Sequence, residues 1–562
     1  MSSGVKSDTV ENQLDRPPGA SQGRGNSALR GRQATAEDLA KVRQIIGPAD
    51  PERSLLLEYL HQIQDVVGSL RHCHLAALAE CIRLSQAEVY EVATFYHRFQ
   101  VAADDAAPIE PAVHICCGLP CQMAGADKIA AELETKLEGK FRIVRGACMG
   151  RCDCAPVTAV AANYLGHANA EAVQVALSAP DSSAIMTPAI DFYRYQANGG
   201  YDLLRQCLAG QRQKQQIIYD LTQSGLRGLG GAGFPTGRKW GLVAAEPGPR
   251  YLVVNGDESE PGTFKDRYYL ERDPHRFIEG VLLAAWAMDA VEIYFYLRDE
   301  YPHLRALLQQ EFARVTAMGL AVAPVRIRRG AGAYICGEES AMLESIEGKR
   351  GMPRQRPPFP SEAGLFGRPT LINNVETLYW ARDAINAGAA WPDMRSFSVS
   401  GRVREPGVKH VSSGITARAL IEDHCGGMLE GHDLAAFLPG GASGGILPAN
   451  LADEAMDFGS LEPHGGLIGS AALIVLSQHD DIADVVGNLM RFFAYESCGH
   501  CTPCRVGTEK AVMMLNAGKA GTDGTALADL AGVMADASIC GLGQAAASPL
   551  RCALRHFPGA IA

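Results

Sequence analysis

Apolar positions along this chain change their period several times, and each change predicts a new kind of element. From Thr35 to about Gln100 they recur at helical spacing: Leu55, Leu56, Tyr59, Leu60 and Ile63, then Leu75, Leu78 and Ala79, then Val89, Val92, Ala93 and Tyr96. This predicts a small helical bundle, and Ser85 with Glu88 three residues on predicts a capping box. Between 111 and 180 a strand at Val113–Cys116, a helix at Asp127–Leu137 and a strand at Phe141–Val144 predict a small α/β unit. The second half opens with a helix at Gln213–Gln223, then a glycine-rich loop and a strand at Tyr251–Val254. A helix at Pro274–Met288, a strand at Val291–Leu297, a helix from Tyr301 to about Val315 and a strand at Ala323–Arg328 follow. That alternation predicts a mostly parallel sheet covered by helices. Short strands between Ser396 and Gln478 predict an α+β unit, and the pattern from Asp484 is helical.

The chain divides accordingly into a tail (1–33), a helical bundle (34–108), a small α/β domain (109–184), a linker (185–212), a larger ligand-binding domain (213–392), an α+β domain (393–480) and a helical C-terminal domain (481–562). Several domains are expected, because single cores rarely grow past roughly 250–300 residues. The tail is rich in Gly, Ser, Pro, Gln and Arg and is expected to be disordered.

Composition narrows the function classes. A net charge of −11 argues against general nucleic-acid binding. The most apolar run, Phe277–Leu297, is interrupted by Glu279, Asp289 and Glu292, so a buried helix and strand are expected in place of a membrane span. No signal-peptide core is visible, and sixteen cysteines in a chain expected to be cytoplasmic suggest metal or redox chemistry more than disulfides.

Two glycine loops stand out. Gly228, Gly230 and Gly233 fit G-x-G-x-x-G, with Gly231 between them and Lys239 on the helix expected from Thr236. A helix precedes this loop where a dinucleotide fingerprint needs a strand, and the order for a P-loop is absent. The second loop, Gly330–Gly337, follows a strand but leads into Glu338 and Glu339, which would repel a phosphate. Hydroxyl or ring N–H donors suit it better. Polar residues Asn255–Gly262, at the end of a strand, are expected to line a crevice.

The cysteines form two sets. Cys116-x4-Cys121 with Cys148-x3-Cys152 fits a tetrahedral S4 site or a pair of iron atoms, and neither pair has zinc-knuckle spacing. Cys498-x2-Cys501-x2-Cys504, with Cys540 further on, fits one [4Fe–4S] cluster. Cys73, Cys81, Cys207, Cys336, Cys425 and Cys552 are read as structural.

Three groups of motifs make the chain familiar. Arg227–Phe234, Asn255–Asp266, Gly330–Glu339, Asn373–Thr377 and Glu496–Arg505 resemble the flavin-bearing, NADH-oxidising subunit of respiratory complex I. Residues 35–180 resemble its partner, which holds a [2Fe–2S] cluster in a thioredoxin-like domain after a helical bundle. A fusion of the two, with Phe437–Pro448 and Ile539–Gln544, is most similar to β subunits of NAD-dependent molybdenum- or tungsten-containing formate dehydrogenases. Diaphorase subunits of NAD-reducing hydrogenases are similar fusions, and a fused NADH dehydrogenase module of complex I is the other alternative.

The resemblance implies a multidomain α/β and α+β architecture. The larger domain would be Rossmann-like, the α+β domain a ubiquitin-like SLBB domain, and the C-terminal helices would carry the [4Fe–4S] cluster. It implies that FMN meets Gly228, Gly230, Gly231, Gly233, Lys239, Asn255, Asp257, Glu258, Tyr334, Gly337, Glu338, Asn373, Asn374 and Thr377. NAD(H) would lie near Phe234, Glu260, Glu339, Arg356 and Phe359. Arg356 stands where complex I relatives carry lysine, which keeps the charge and changes its geometry. The expected partner is a catalytic Mo/W-pterin α subunit with further iron–sulfur clusters, in αβ units that can assemble further. No acid–base or nucleophilic residue is expected, since hydride transfer belongs to the flavin. A non-catalytic iron–sulfur scaffold is the reading from another class.

Overall fold

The computed structural model describes residues 31–107, 112–137, 141–178, 188–518 and 523–561. The expected tail therefore lies outside the described residues except for its last three.

Helices Ala36–Ile46, Leu56–Val67, His72–Cys81 and Gln86–Phe95 open the fold, and strands β1 (Leu70–Arg71) and β2 (Val101–Ala102) pair in parallel across them. The capping box is present: the Ser85 hydroxyl accepts from the Glu88 N–H, and the Glu88 carboxylate accepts from the Ser85 N–H. A four-stranded sheet follows, with β3 (Ala112–Cys116), β4 (Arg142–Gly146), β5 (Thr158–Val160) and β6 (Asn163–Leu165) in the order β4-β3-β5-β6. The central sheet is all parallel, as its alternation predicts. Its strands β7 (Arg250–Gly256), β8 (Ala290–Leu297), β9 (Val325–Arg329) and β10 (Thr370–Asn374) run in the order β10-β7-β8-β9. A mixed sheet of β11 (Met394–Gly401), β12 (Gly407–Ser412), β13 (Leu434–Ala442), β14 (Leu447–Pro448) and β15 (Ala472–Ser477) comes next. Helices Ile482–Glu496, Thr502–Asn516, Gly524–Ala537 and Ser548–His556 close the chain. Among the described residues no helix is long and apolar enough to cross a membrane.

The central sheet is buried on both faces, and side-chain alternation assigns each face. Leu252, Val254, Ile293, Phe295 and Leu297 join the core built with helices Pro274–Met288, Pro302–Ala317 and Val375–Ala387. Val253, Tyr294 and Tyr296 point the other way, into one core with Leu56, Leu60, Ile63 and Tyr96 of the N-terminal helices. These helices form the second cover of the central sheet, although their sequence reads as a separate bundle. Tyr96 anchors this join: its hydroxyl lies 2.9 Å from Ser345 Oγ and donates to the Lys349 carbonyl at 2.8 Å.

The stretch expected as a linker with short helical stretches, including Tyr193–Gly200, is helical and packs onto the central domain. In its described part, helices Phe192–Ala197 and Asp202–Leu208 bury Phe192, Tyr195, Tyr201, Leu204 and Cys207 in the first of these cores. Glu279, fully buried, accepts hydrogen bonds from the Tyr195 hydroxyl and the Tyr201 N–H, which locks the stretch onto helix Pro274–Met288. Cys73 and Cys81, read as core residues, are only partly buried.

Candidate functional site: a crevice between two cysteine sets

In chain order β7, β8 and β9 step outward across the sheet, and β10 then returns to the far side of β7. The strand order reverses between β7 and β10, which opens a crevice at their C-terminal ends. The residues leaving those ends are Asn255–Glu258 and Asn373–Asn374.

The first glycine loop folds over this crevice. It is a closed turn, with Arg227 bridged to Pro235 and the Gly228 N–H donating to the Phe234 carbonyl at 2.8 Å. Gly231 (φ +124°) and Gly233 (φ +64°) take backbone angles that a side chain disfavours. A Cβ at Gly230 would lie 3.0 Å from Asn374 Cβ, so the loop lies directly against the end of β10. The Leu229 N–H donates to Thr377 Oγ1 at 2.9 Å, which ties the loop to helix Val375–Ala387.

Around the crevice several predicted residues hold one another. Asn255 Nδ2 donates to the Gly337 carbonyl at 2.9 Å, joining the ends of β7 and of the second glycine loop. Trp240 Nε1 donates to Asn373 Oδ1 at 2.9 Å. Glu338 caps helix Glu339–Ile346, its carboxylate accepting from the N–H groups of Ser340 and Ala341. That helix N-terminus is thus already occupied by a carboxylate. Glu338, Glu339, Arg356 and Lys239 form one ion-pair chain: Arg356 pairs with Glu338 and, at 3.1 Å, with Glu339, which pairs with Lys239 at 3.2 Å. Phe234 and Phe359, 41% and 50% exposed, present open apolar faces.

Asp257 carries the clearest sign of a missing partner. Its Oδ1 accepts from Ser259, but its buried Oδ2 has no partner among the described residues. A buried acceptor without a donor is costly, so the crevice has a place made for a hydroxyl or N–H donor. Glu258 differs: both of its oxygens are used within the protein, accepting from the Asp266 and Arg267 N–H groups and from the Tyr301 hydroxyl. Glu260 accepts from the Ser443 N–H and hydroxyl, clamping the Gly440–Gly445 turn of the mixed sheet against the site.

Burial pushes Asp257 up to about 7, and burial with neighbouring Asp266 also raises Glu258. The unfolded Asp is ionised throughout this range, while the folded one holds its proton up to about 7. Its contribution to stability is therefore complete below the unfolded value and is lost as pH rises through 7. His61, His114 and His275, each lowered to about 4 by burial, act in the opposite sense, and only below their ordinary 6.5. We expect the flavin-free chain to lose on the order of 1 kcal/mol from Asp257 between pH 6.5 and 8.5. Melting curves should show a shallower pH slope for Asp257→Asn, and an unchanged slope would refute the assignment.

The two cysteine sets lie on either side. The Cys148 and Cys152 sulfurs are 3.5 Å apart, and the Cys116 thiol is within hydrogen-bonding reach of Cys121 and Cys148; all four are buried. This loop docks on the central domain through residues that sequence reasoning missed. Arg298 donates to the Cys148 carbonyl at 2.6 Å, and Arg267 donates to the Gly150 carbonyl at 2.9 Å and to Asp153 at 2.7 Å. Gly150 has φ +67°, and a Cβ there would overlap the Tyr301 hydroxyl. Gly150→Ala should cost well over ~1 kcal/mol, read as a lower melting temperature and a weakened [2Fe–2S] signal.

Cys498, Cys501, Cys504 and Cys540 are partly buried. The field of Cys540 is shaped by Cys498 and Cys504 and also by Glu338, which places this set against the second glycine loop. Tyr334 bridges the two: its N–H donates to Glu496 at 2.8 Å, and its ring packs 5.1 Å from Phe492. Glu496, immediately before the Ser497–Cys498 motif, was visible in sequence only as part of that motif. Among the described residues no trio of ligands converges on a single ion. Four thiolates shared over two or four irons need no such trio.

Comparison with known proteins finds three family regions along the chain. Residues 42–180 match the thioredoxin-like [2Fe–2S] ferredoxin family, residues 221–381 the Nuo51 FMN-binding domain, and residues 484–562 the NADH-ubiquinone oxidoreductase-F iron–sulfur binding region. The F 2 subunit of NADH-quinone oxidoreductase from Rhizobium meliloti (strain 1021) is 43% identical over 386 residues, 65% of this chain and 91% of its own length. The mitochondrial NADH dehydrogenase [ubiquinone] flavoprotein 1 of Dictyostelium discoideum is 41% identical, over 61% of this chain and 78% of its own. Among solved structures, a chain of an air-oxidised NAD⁺-reducing [NiFe]-hydrogenase superposes with a TM-score of 0.79 at 31% identity, covering 90% of this chain and 93% of that one. With its FMN-binding, [2Fe–2S] and [4Fe–4S] regions, the chain belongs to the family of the F subunits of NADH-quinone oxidoreductases, joined in one polypeptide to a thioredoxin-like ferredoxin module.

Proposed function

We propose that this chain is the diaphorase subunit of a NAD-dependent formate dehydrogenase, carrying electrons between NAD(H) and a partner Mo/W-pterin subunit. The observation that carries the diaphorase reading is the crevice at the β7/β10 switch, with the unpaired Asp257 oxygen inside it and a cysteine set on either side. The choice of formate rests on the likeness of Phe437–Pro448 and Ile539–Gln544 to that subgroup, and on the retained Cys116, Cys121, Cys148 and Cys152.

When bound, FMN supplies exchange between two-electron and one-electron chemistry, and iron–sulfur clusters supply one-electron relay. The residues supply placement. Gly228, Gly230, Gly231 and Gly233 let backbone N–H groups approach closely, and Lys239 adds positive charge. Asn255, Asp257, Tyr334, Gly337, Glu338, Asn373, Asn374 and Thr377 form the walls, with Asp257 Oδ2 as the free acceptor for a ribityl hydroxyl. Glu258 acts from behind, by fixing Tyr301 and the helix at Lys265–Arg272. Phe234 and Phe359 offer faces for stacking NAD(H), and Glu260, Glu339 and Arg356 offer polar contacts. Cys116, Cys121, Cys148 and Cys152 hold the [2Fe–2S] cluster, and Cys498, Cys501, Cys504 and Cys540 hold the [4Fe–4S] cluster.

The hydrogenase reading has its own support in the likeness to the NAD⁺-reducing enzyme. Isolating the native complex, analysing it for Mo, W and Ni, and comparing formate- with H₂-dependent NAD⁺ reduction separates the two. Formate-dependent reduction with Mo or W is expected; H₂-dependent reduction alone would overturn the formate assignment and leave the diaphorase intact.

A further inference from the structure

A cavity of about 990 Å³ opens where the N-terminal helices, the thioredoxin-like sheet, the central sheet and the C-terminal helices meet. It adjoins the crevice, sharing Tyr334 and Ser259 with its rim, but Phe234, Glu260, Glu339, Arg356 and Phe359 do not line it. Six arginines do (Arg98, Arg142, Arg145, Arg298, Arg305 and Arg329), against the acids Asp65, Asp299, Glu300 and Glu496.

The pairing within this set is uneven. Arg98 shares Asp299 with Arg329, which also pairs with Asp65, and Arg298 pairs with Glu300. Three arginines thus use up three of the four acids. Arg145 turns to Asp127 and Glu134, and Arg142 donates to the neutral Gln100. Arg305, half-buried, makes no side-chain hydrogen bond or ion pair among the described residues; burial and neighbouring Arg329 lower its pKa, and Asp299 and Asp65, already paired with Arg98 and Arg329, only partly offset them. Burying a guanidinium beside a like charge is unfavourable unless an anion answers it. On β6 the Tyr164 hydroxyl has no partner among the described residues, with Arg151 over its ring at 5.3 Å. His114 beside them stays neutral at ordinary pH. Guanidinium forks favour phosphate oxygens, which they bind in pairs. The cavity is at the upper end of the roughly 300–1,000 Å³ typical of small-molecule sites.

We propose that this cavity is a second ligand site, holding a phosphate-bearing anion of up to nucleotide size between Arg98, Arg305, Arg329 and the Tyr164 hydroxyl. Gly146, Ala147 and Met149 also line it, on the loop that carries Cys148. The occupant's negative charge therefore lies against that loop and disfavours adding an electron there, a consequence that rests on the cluster assignment proposed above.

The test uses the cofactor-loaded full chain with NAD⁺ saturating the crevice. Isothermal titration calorimetry with inorganic pyrophosphate, and separately with ADP, should show one site per chain that weakens as salt rises. Tighter binding of ADP would identify a nucleotide site, and equal binding a site for the phosphates alone. Arg305→Gln should weaken binding at least tenfold and Arg305→Lys should restore part of it, with NADH–ferricyanide turnover unchanged in both. Absence of binding by both probes, or equal binding by Arg305→Gln, overturns the proposal. Redox titration followed by electron paramagnetic resonance should show the [2Fe–2S] midpoint falling with pyrophosphate in the parent chain and staying put in Arg305→Gln; a midpoint that ignores bound pyrophosphate overturns the electrostatic part. A missing [2Fe–2S] signal would count against the cluster assignment, and calorimetry would still decide the site.

Discussion

Cys504→Ser is expected to abolish the [4Fe–4S] signal and to cut electron exchange with the partner subunit by more than roughly 100-fold, while the flavin stays bound. Cys504 lies at the start of helix Thr502–Asn516, with its sulfur 3.4 Å from Ser497 Oγ and its carbonyl accepting from Thr508 Oγ1 at 2.8 Å. A Cβ at Gly543, close behind Cys540, would lie 3.4 Å from Cys504 Cβ, so the two distant parts of the set face each other across little space. None of the proposed flavin residues lies on this helix, so NADH–ferricyanide activity should survive. Cys552→Ser is the control: that thiol is buried and donates to the Gly465 carbonyl at 3.1 Å, away from the set. An unchanged cluster spectrum in Cys504→Ser, or equal loss in Cys552→Ser, would remove Cys504 from the ligand set.

The second large effect is on stability. Lys265 is 1% exposed and pairs with Asp266 at 3.0 Å and Glu376 at 2.9 Å, both themselves buried. Burial opposes its charge, yet the carboxylates of Asp266, Glu376 and Glu258 outweigh burial and hold its pKa above the ordinary lysine value. Lys265→Met would leave these carboxylates uncompensated, at a cost of about 3–5 kcal/mol. Asp266 also accepts from Asn374 Nδ2 at 2.6 Å, so the damage should reach the crevice wall and weaken flavin binding. Adding Glu376→Gln should recover part of the loss in thermal denaturation. A single mutant that melts like the parent would mean that the network adds nothing to stability.

Elements governed by local chemistry were legible in the sequence. Helix Pro274–Met288 begins and ends where it was expected, because Asp273 caps it and Pro274 occupies its first turn. Strands β7, β8 and β9 were found from their apolar runs and the cysteine sets from spacing alone, whereas β10 was missed, its short run hidden between a Pro/Gly-rich loop and the helix that starts at Val375. What local pattern could not show is which surface a buried face meets. Tyr294 and Tyr296 read simply as strand residues; that they pack on helices more than 190 positions earlier depends on tertiary placement. The aromatic residues between Phe192 and Tyr201 were hidden in the same way, since their partner Glu279 lies far along the chain. At the site, the glycines, Asp257 and the cysteines were identified as types suited to a ligand. Arg267, Arg298 and Tyr301, which dock the Cys148–Gly150 loop, follow no motif, because their role depends on a contact between remote segments.

The shared core between the N-terminal helices and the central sheet sets a timetable for synthesis. Leu56, Leu60 and Ile63 leave the ribosome long before Val253 and Tyr294, the residues that cover them. At about 5–20 residues per second, roughly 200 intervening residues leave that apolar face waiting for some 10–40 s. A nascent chain halted before β7 should therefore expose a sticky surface and attract chaperones, and one halted after β9 should not. In a pair of separate polypeptides the same face would wait for a collision with its partner; in this single chain its cover arrives by translation.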